Sequence, residues 1–129
     1  MSHFAVYECK VSNLDYVKRA LGEMELGYIE HTTITDWSNR KLRVALAVVK
    51  NERVLPLGWT INKETNQLEL QADWFVLPFS QKDFTDKISQ LHSKYQVIET
   101  CKENRWHIEE DDITINDKGE IEIIATQFV

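Results

Sequence analysis

The residue types best placed for chemistry fall in the stretch "NQLELQADWFVLPF". Glu69, Gln71 and Asp73 alternate there with Leu68, Leu70, Ala72 and Trp74, so one strand face presents two carboxylates and an amide. General acid–base work needs two titratable groups converging on one bond. Glu69 and Asp73 are four residues apart, about 13 Å by strand rise, so a pair requires a partner from a neighbouring strand. Asp73 stands beside Trp74, where partial burial would raise its pKa. The plainer reading makes Asp73 the last polar position of an amphipathic strand, facing water or capping the turn into "FVLPF". A ligand-binding or enzymatic reading enlists Asp73 with Ser2 and His3 near a strand end. A non-catalytic reading takes Thr60, Glu69, Gln71, Asp73 and Trp74 as a surface for a partner.

Other chemistries find less support. The four histidines, His3, His31, His92 and His107, are isolated, with no His-x-x-x-His or Cys-x-x-Cys spacing. No zinc site, and no other metal or cofactor, is expected from such a set. Solvent-facing or singly hydrogen-bonded imidazoles are the expectation. Cys9 and Cys101 read as packed thiols in a reducing compartment, and a redox role requires the fold to bring them together. Cys9 and His3 share a strand face, but about 20 Å of strand separates them. No Gly-x-Ser-x-Gly elbow and no Gly-rich phosphate loop occurs.

Charge narrows the partners. The net charge is −6, and Glu109, Glu110, Asp111, Asp112, Asp117, Glu120 and Glu122 against Lys118 alone account for it. Nucleic acid is disfavoured, because phosphate contacts need clustered Lys and Arg. The acidic run at 109–112 could meet a basic partner, although such runs more often guard a strand edge. The aromatics Phe4, Tyr7, Trp59, Trp74, Phe75 and Phe79 read chiefly as core. No apolar run reaches the roughly 20 residues of a membrane helix, and "MSHFAVYECK" has no signal-peptide features. A soluble, intracellular protein is the expectation.

The elements that must position these residues follow from periodicity. "HFAVYECKV" reads as a first strand, and "SNLD" starts a helix capped by Ser12, with Leu14, Val17, Leu21 and Met24 on one face and Gly27 as its stop. "YIEHTTITDW" and "KLRVALAVVK" are strand-like. "LGWTINK" and "QLELQADW" form a hairpin across "ETN" that sets Trp59 opposite Leu70 and Ile61 opposite Leu68 on one face, with Thr60 and Gly58 opposing Glu69 and Gln71 on the other. "SQKD" opens a second helix carrying Phe84, Ile88, Leu91, Tyr95 and Ile98, although "YQVIETC" also alternates as a strand. "RWHIEEDDITI" and "EIEIIATQFV" close the chain as a hairpin with a bulge within "EEDD". The 129 residues, at 43% hydrophobic, suffice for one domain spanning 1–129. The expected fold is α+β, a two-layer sandwich. It has an antiparallel sheet of about six or seven strands with two main helices on one face, ferredoxin-like with an added C-terminal hairpin. The other sheet face is expected to stay open.

The opening "MSHF", the helix after "SNLD", the segment "LGWTINKETNQLELQADW" and the closing "DKGEIEIIATQF" together resemble the conserved hypothetical chloroplast reading frame thirty-five family of cyanobacteria, their phages and algal plastids. The likeness runs the length of the chain and departs from the family between Thr32 and Pro56, at Gln96 and at Trp106. It implies a cyanobacterial cytoplasm or plastid stroma. It implies no activity and supplies no catalytic residues. The favoured expectation is a non-catalytic binding or accessory module that docks on a larger protein complex, with a homodimer through the open sheet face as one form of that docking.

Overall fold

The structure is a computed structural model that describes residues 4–7, 9 and 11–104, together with the backbone of 106–107, 113–115, 121–123 and 126–127. Strand β1 (Ala5–Tyr7) leads to helix α1 (Leu14–Glu23), then to β2 (Gly27–Thr35), β3 (Lys41–Lys50), β4 (Arg53–Ile61) and β5 (Leu68–Ala72). A single 3-10 turn (Trp74–Val76) precedes helix α2 (Gln81–Glu103). Four short strands follow: β6 (Trp106–His107), β7 (Ile113–Ile115), β8 (Ile121–Ile123) and β9 (Thr126–Gln127).

The α+β class and the antiparallel pairing match the expectation, but the main sheet has five strands rather than six or seven. Its order is β1-β5-β4-β3-β2, a meander from β2 to β5 with β1 added at the far edge. Three strands therefore separate β1 from β2, and this is not the interleaved order of a ferredoxin-like sheet. The C-terminal strands pair with one another, β6 with β9 and β7 with β8, instead of extending the sheet. Between those two ladders five residues intervene on the β6–β7 side and two on the β8–β9 side, so the extra length falls where "EEDD" lies. The bulge itself, like Glu109, Glu110, Asp111 and Asp112, is outside the described residues.

The β4–β5 register is the one the alternation dictates. Trp59 pairs with Leu70, Ile61 with Leu68, Thr60 with Glu69 and Gly58 with Gln71. The row Leu46–Trp59–Leu70–Tyr7 faces both helices. Val17, Ala20 and Leu21 of α1 and Phe84, Ile88 and Leu91 of α2 close over it in one core. Removing these side chains from water is the main stabilising term, at about 25 cal/mol per Å² of apolar surface.

Helix ends follow local chemistry. The cap of α1 is Asn13 rather than Ser12, its side chain accepting from the Asp15 N–H at 2.8 Å. The helix ends at Glu23, four residues before Gly27. Leu26 N donates to Leu21 O and Glu25 N to Gly22 O, with Glu25 at φ 60, a Schellman end without glycine. For α2, Ser80 caps the Asp83 N–H as its sequence suggests, and the helix runs unbroken through "YQVIETC".

The far face of the sheet departs most from expectation. Val44 and Ala47 are three residues apart, which on a straight strand means opposite faces. They nevertheless share a second buried cluster with Ile34, flanked by Phe4 and Leu42. A Cβ on Gly58 would lie 3.2 Å and 3.3 Å from the Val44 methyls and 2.5 Å from the Leu46 carbonyl oxygen. Strand β3 therefore bends, and only glycine at position 58 admits the bend. The distal arm of the β2–β3 hairpin folds back over the far face. In a flat sheet β1 and β2 would stand about 19 Å apart at four inter-strand spacings. Yet Phe4 N, at the head of β1, donates to Asp36 Oδ2 at the end of β2 at 3.1 Å. The far face is thus partly covered rather than open, because the hairpin is long enough to curl and apolar on its inner side.

Candidate functional site

Asp73 ends β5, and its N–H continues the ladder to Pro56 O at 3.0 Å. Parity aims its side chain at the far face, where the folded hairpin has removed the water. Asp73 is 1% exposed, and its Oδ2 accepts from the Trp37 N–H at 2.9 Å. The expectation that Asp73 faces water is corrected by this burial. Asp36, also buried, organises the hairpin turn: Oδ1 accepts from Arg40 N at 2.8 Å and Oδ2 from Phe4 N. Two buried carboxylates therefore clamp the hairpin tip, one from within and one from β5. Backbone N–H donors of this kind satisfy carboxylate oxygens without a cationic side chain.

The clamp fixes what lies around it. Trp37 follows Asp36 and is 67% exposed; Phe75, two residues past Asp73, is 85% exposed. Trp37 is thus held out into solvent by a bonded backbone N–H, and Phe75 stands out from the 3-10 turn. Trp74 turns the other way, and its ring meets Tyr7 at 5.7 Å edge-on, Phe84 at 5.8 Å and Phe79 at 6.5 Å. It is a core residue rather than a surface contact.

Thr60, Glu69 and Gln71 are brought together on the far face and bond to one another. Gln71 Nε2 donates to Thr60 Oγ1 at 3.3 Å, Thr60 Oγ1 to Glu69 O at 3.5 Å, and Asn62 Nδ2 to Glu69 Oε1 at 2.7 Å. Ser2 and His3 lie outside the described residues. Among the described residues no group of three or more His, Cys, Asp or Glu side chains could hold a metal ion, and no helix is long and apolar enough to cross a membrane.

A groove of about 520 Å³ runs beside β1, with Cys9, Ser12 and Glu69 among its lining residues. Burial pushes the Cys9 thiol up from its ordinary pKa, partly offset by Ser89 Oγ at 3.9 Å, so a reactive thiolate is suppressed. Ser89 and Cys101 sit on the same helix twelve residues apart, about 18 Å by helix rise. Cys9, held at Ser89, is therefore not brought to Cys101, and both thiols are free.

The polar residue that periodicity missed is His92. It is 2% exposed on α2, and its Nε2 accepts from both Ser12 N (3.2 Å) and Asn13 N (3.1 Å) at the start of α1. Tyr16 packs edge-on at 5.4 Å. Burial lowers the His92 pKa, and the two N–H groups pointing at Nε2 also require the neutral ring. The expectation of a solvent-facing or singly bonded imidazole fails here. His92 is a structural acceptor joining the two helices, and its partners lie about 80 positions away in sequence.

Comparison with known proteins adds a family and no chemistry. Residues 20–124 match the family described as "Protein of unknown function (DUF1257)". The chain is 27% identical over 103 residues to "Uncharacterized protein ycf35" of Pyropia yezoensis, covering 79% of this chain and 80% of that one. It is 20% identical over 128 residues to "Uncharacterized protein ycf35" of Guillardia theta, covering 99% of this chain and 98% of that one. No solved structure matches.

Proposed function

The chain belongs to the DUF1257 family of proteins of unknown function, and from that premise we propose that it is a non-catalytic accessory module. In this reading it docks on a larger protein assembly in a cyanobacterial cytoplasm or a plastid. The observation that carries the reading is the pair Trp37 and Phe75. Both are more than half exposed; the buried Asp73 holds the Trp37 N–H, and Phe75 sits in the 3-10 turn that directly follows Asp73. Large rigid aromatics dominate the energetics of interfaces and lose little conformational entropy on binding. The groups that an enzymatic reading would recruit are already engaged: Asp73 Oδ2 by Trp37 N and Glu69 Oε1 by Asn62.

The test compares tagged wild-type protein with a Trp37→Ala/Phe75→Ala double variant as bait in cyanobacterial or plastid extract. At least one protein should be retained specifically by the wild type and lost with the variant, while the unfolding midpoint stays unchanged. Recovery of the same set by both baits would refute docking through these side chains.

A further inference from the structure

Resting on the docking role proposed above, we infer that the hairpin tip takes an acid-rich segment of a partner protein, gripped by Trp37 and the cations beside it. Charge along the chain is the first observation. The segment from Trp37 to Lys50 holds Arg40, Lys41, Arg43 and Lys50 and no acid, in a chain whose net charge is −6. Register is the second. Lys41 pairs with Thr35 and Arg43 with Thr33, so these four side chains occupy the outer face of the hairpin arm, opposite the buried Ile34 and Val44. All four are exposed. That face offers cations and hydroxyl donors and no carboxylate.

Among the described residues, ion pairing occupies some of the other cations but not Lys50, Arg53, Lys63 or Lys87; what marks this arm is that its unpaired cations stand next to one another. Lys18, Arg19, Lys82, Lys94 and Lys102 each stand within ion-pair distance of a carboxylate of the same chain. Arg40, Lys41 and Arg43 have no ion-pair partner among the described residues. The only acid within the turn, Asp36, is buried and spends both oxygens on backbone N–H groups. Among the described residues, an incoming carboxylate therefore meets no competing anion on the outer face of this arm. Arginine and tryptophan are the residue types most enriched where binding energy concentrates. A polynucleotide would also satisfy cations, but three exposed bases on a protein of net charge −6 make a poor phosphate track.

The test uses the full chain and two labelled peptides of equal length with the same interspersed aromatics, one rich in Glu and Asp and the other in Lys, plus a labelled single-stranded RNA. Fluorescence anisotropy should show binding of the acidic peptide only, weakened by added salt and by at least about tenfold in a Lys41→Glu/Arg43→Glu variant. A Lys63→Glu variant, altered on another exposed turn, should bind as the wild type does. Equal binding of the two peptides, or no effect of the double reversal, would overturn the acidic-partner assignment. Preferential binding of the RNA would overturn it in favour of nucleic acid. These failures are distinct from failure of docking itself. If extract capture still depends on Trp37 and Phe75 while charge reversal changes nothing, docking stands and only the partner chemistry falls.

Discussion

Replacing His92 tests how the two helices are locked together. Its Nε2 receives two backbone N–H groups at 3.2 Å and 3.1 Å, at the end of α1 where the helix dipole is positive. Each such bond contributes about 1 kcal/mol net, and each donor left without a partner costs about 1–3 kcal/mol. His92→Leu keeps much of the volume but removes the acceptor, so it should destabilise by about 2–4 kcal/mol at pH 8. His92→Gln retains an acceptor that does not titrate and should lose less. Burial lowers the His92 pKa in the fold, whereas the unfolded chain titrates near its ordinary value of about 6.5. On acidification the unfolded chain therefore takes up the proton first. The contribution of His92 is complete above about pH 6.5 and is lost as pH falls through the lower folded-state value. Urea unfolding followed by tryptophan fluorescence at pH 8, 7, 6 and 5 gives the readout. Wild type should weaken relative to His92→Gln as pH drops below about 6.5. A wild-type-minus-Gln difference that is flat from pH 8 to 5, or a Leu variant as stable as wild type, would refute the lock.

Gly58→Ala should destabilise by about 2–3 kcal/mol in urea unfolding, because its Cβ meets the Leu46 carbonyl at 2.5 Å where backbone on both sides is fixed. Glu25→Gly should raise stability by about 0.5 kcal/mol, since φ 60 suits glycine and part of that gain is returned to a more flexible unfolded chain. Asp73→Ala should speed hydrogen exchange of the Trp37 amide by at least about tenfold, and Asp73→Asn by less, because Asn keeps an acceptor. Alkylation at pH 7.5 should be slow at both thiols in the native protein and fast in urea, since Cys101 is 3% exposed and burial raises the Cys9 pKa. Rapid native labelling at Cys9 would contradict its suppressed reactivity.

Local pattern carried a good part of the architecture. Alternation across "LGWTINK" and "QLELQADW" determined the β4–β5 register pair by pair, because a one-residue slip would turn Trp59 and Leu70 out of the core. Helical spacing placed Val17, Leu21, Phe84, Ile88 and Leu91 on buried faces, and Ser80 marked the start of α2. Resemblance at "MSHF" and "LELQADW" pointed to the family that residues 20–124 match. Small errors arose where two residues compete for one role, as Ser12 and Asn13 did for the cap. Glycine preference also misled at Glu25, which ends α1 in a conformation glycine would adopt more easily.

What the chain order by itself determined was which residues face inward along each element, because that depends only on period and neighbours. What the tertiary structure alone decided was the bend of β3 and the fold-back of its hairpin, since parity is silent about curvature. That curl buries Asp73, joins it to Trp37, and leaves Trp37 and Phe75 standing in water. The same limit hid His92, whose two donors lie on another helix. A polar side chain's role is set by what packing brings to it, and packing joins residues that sequence keeps far apart.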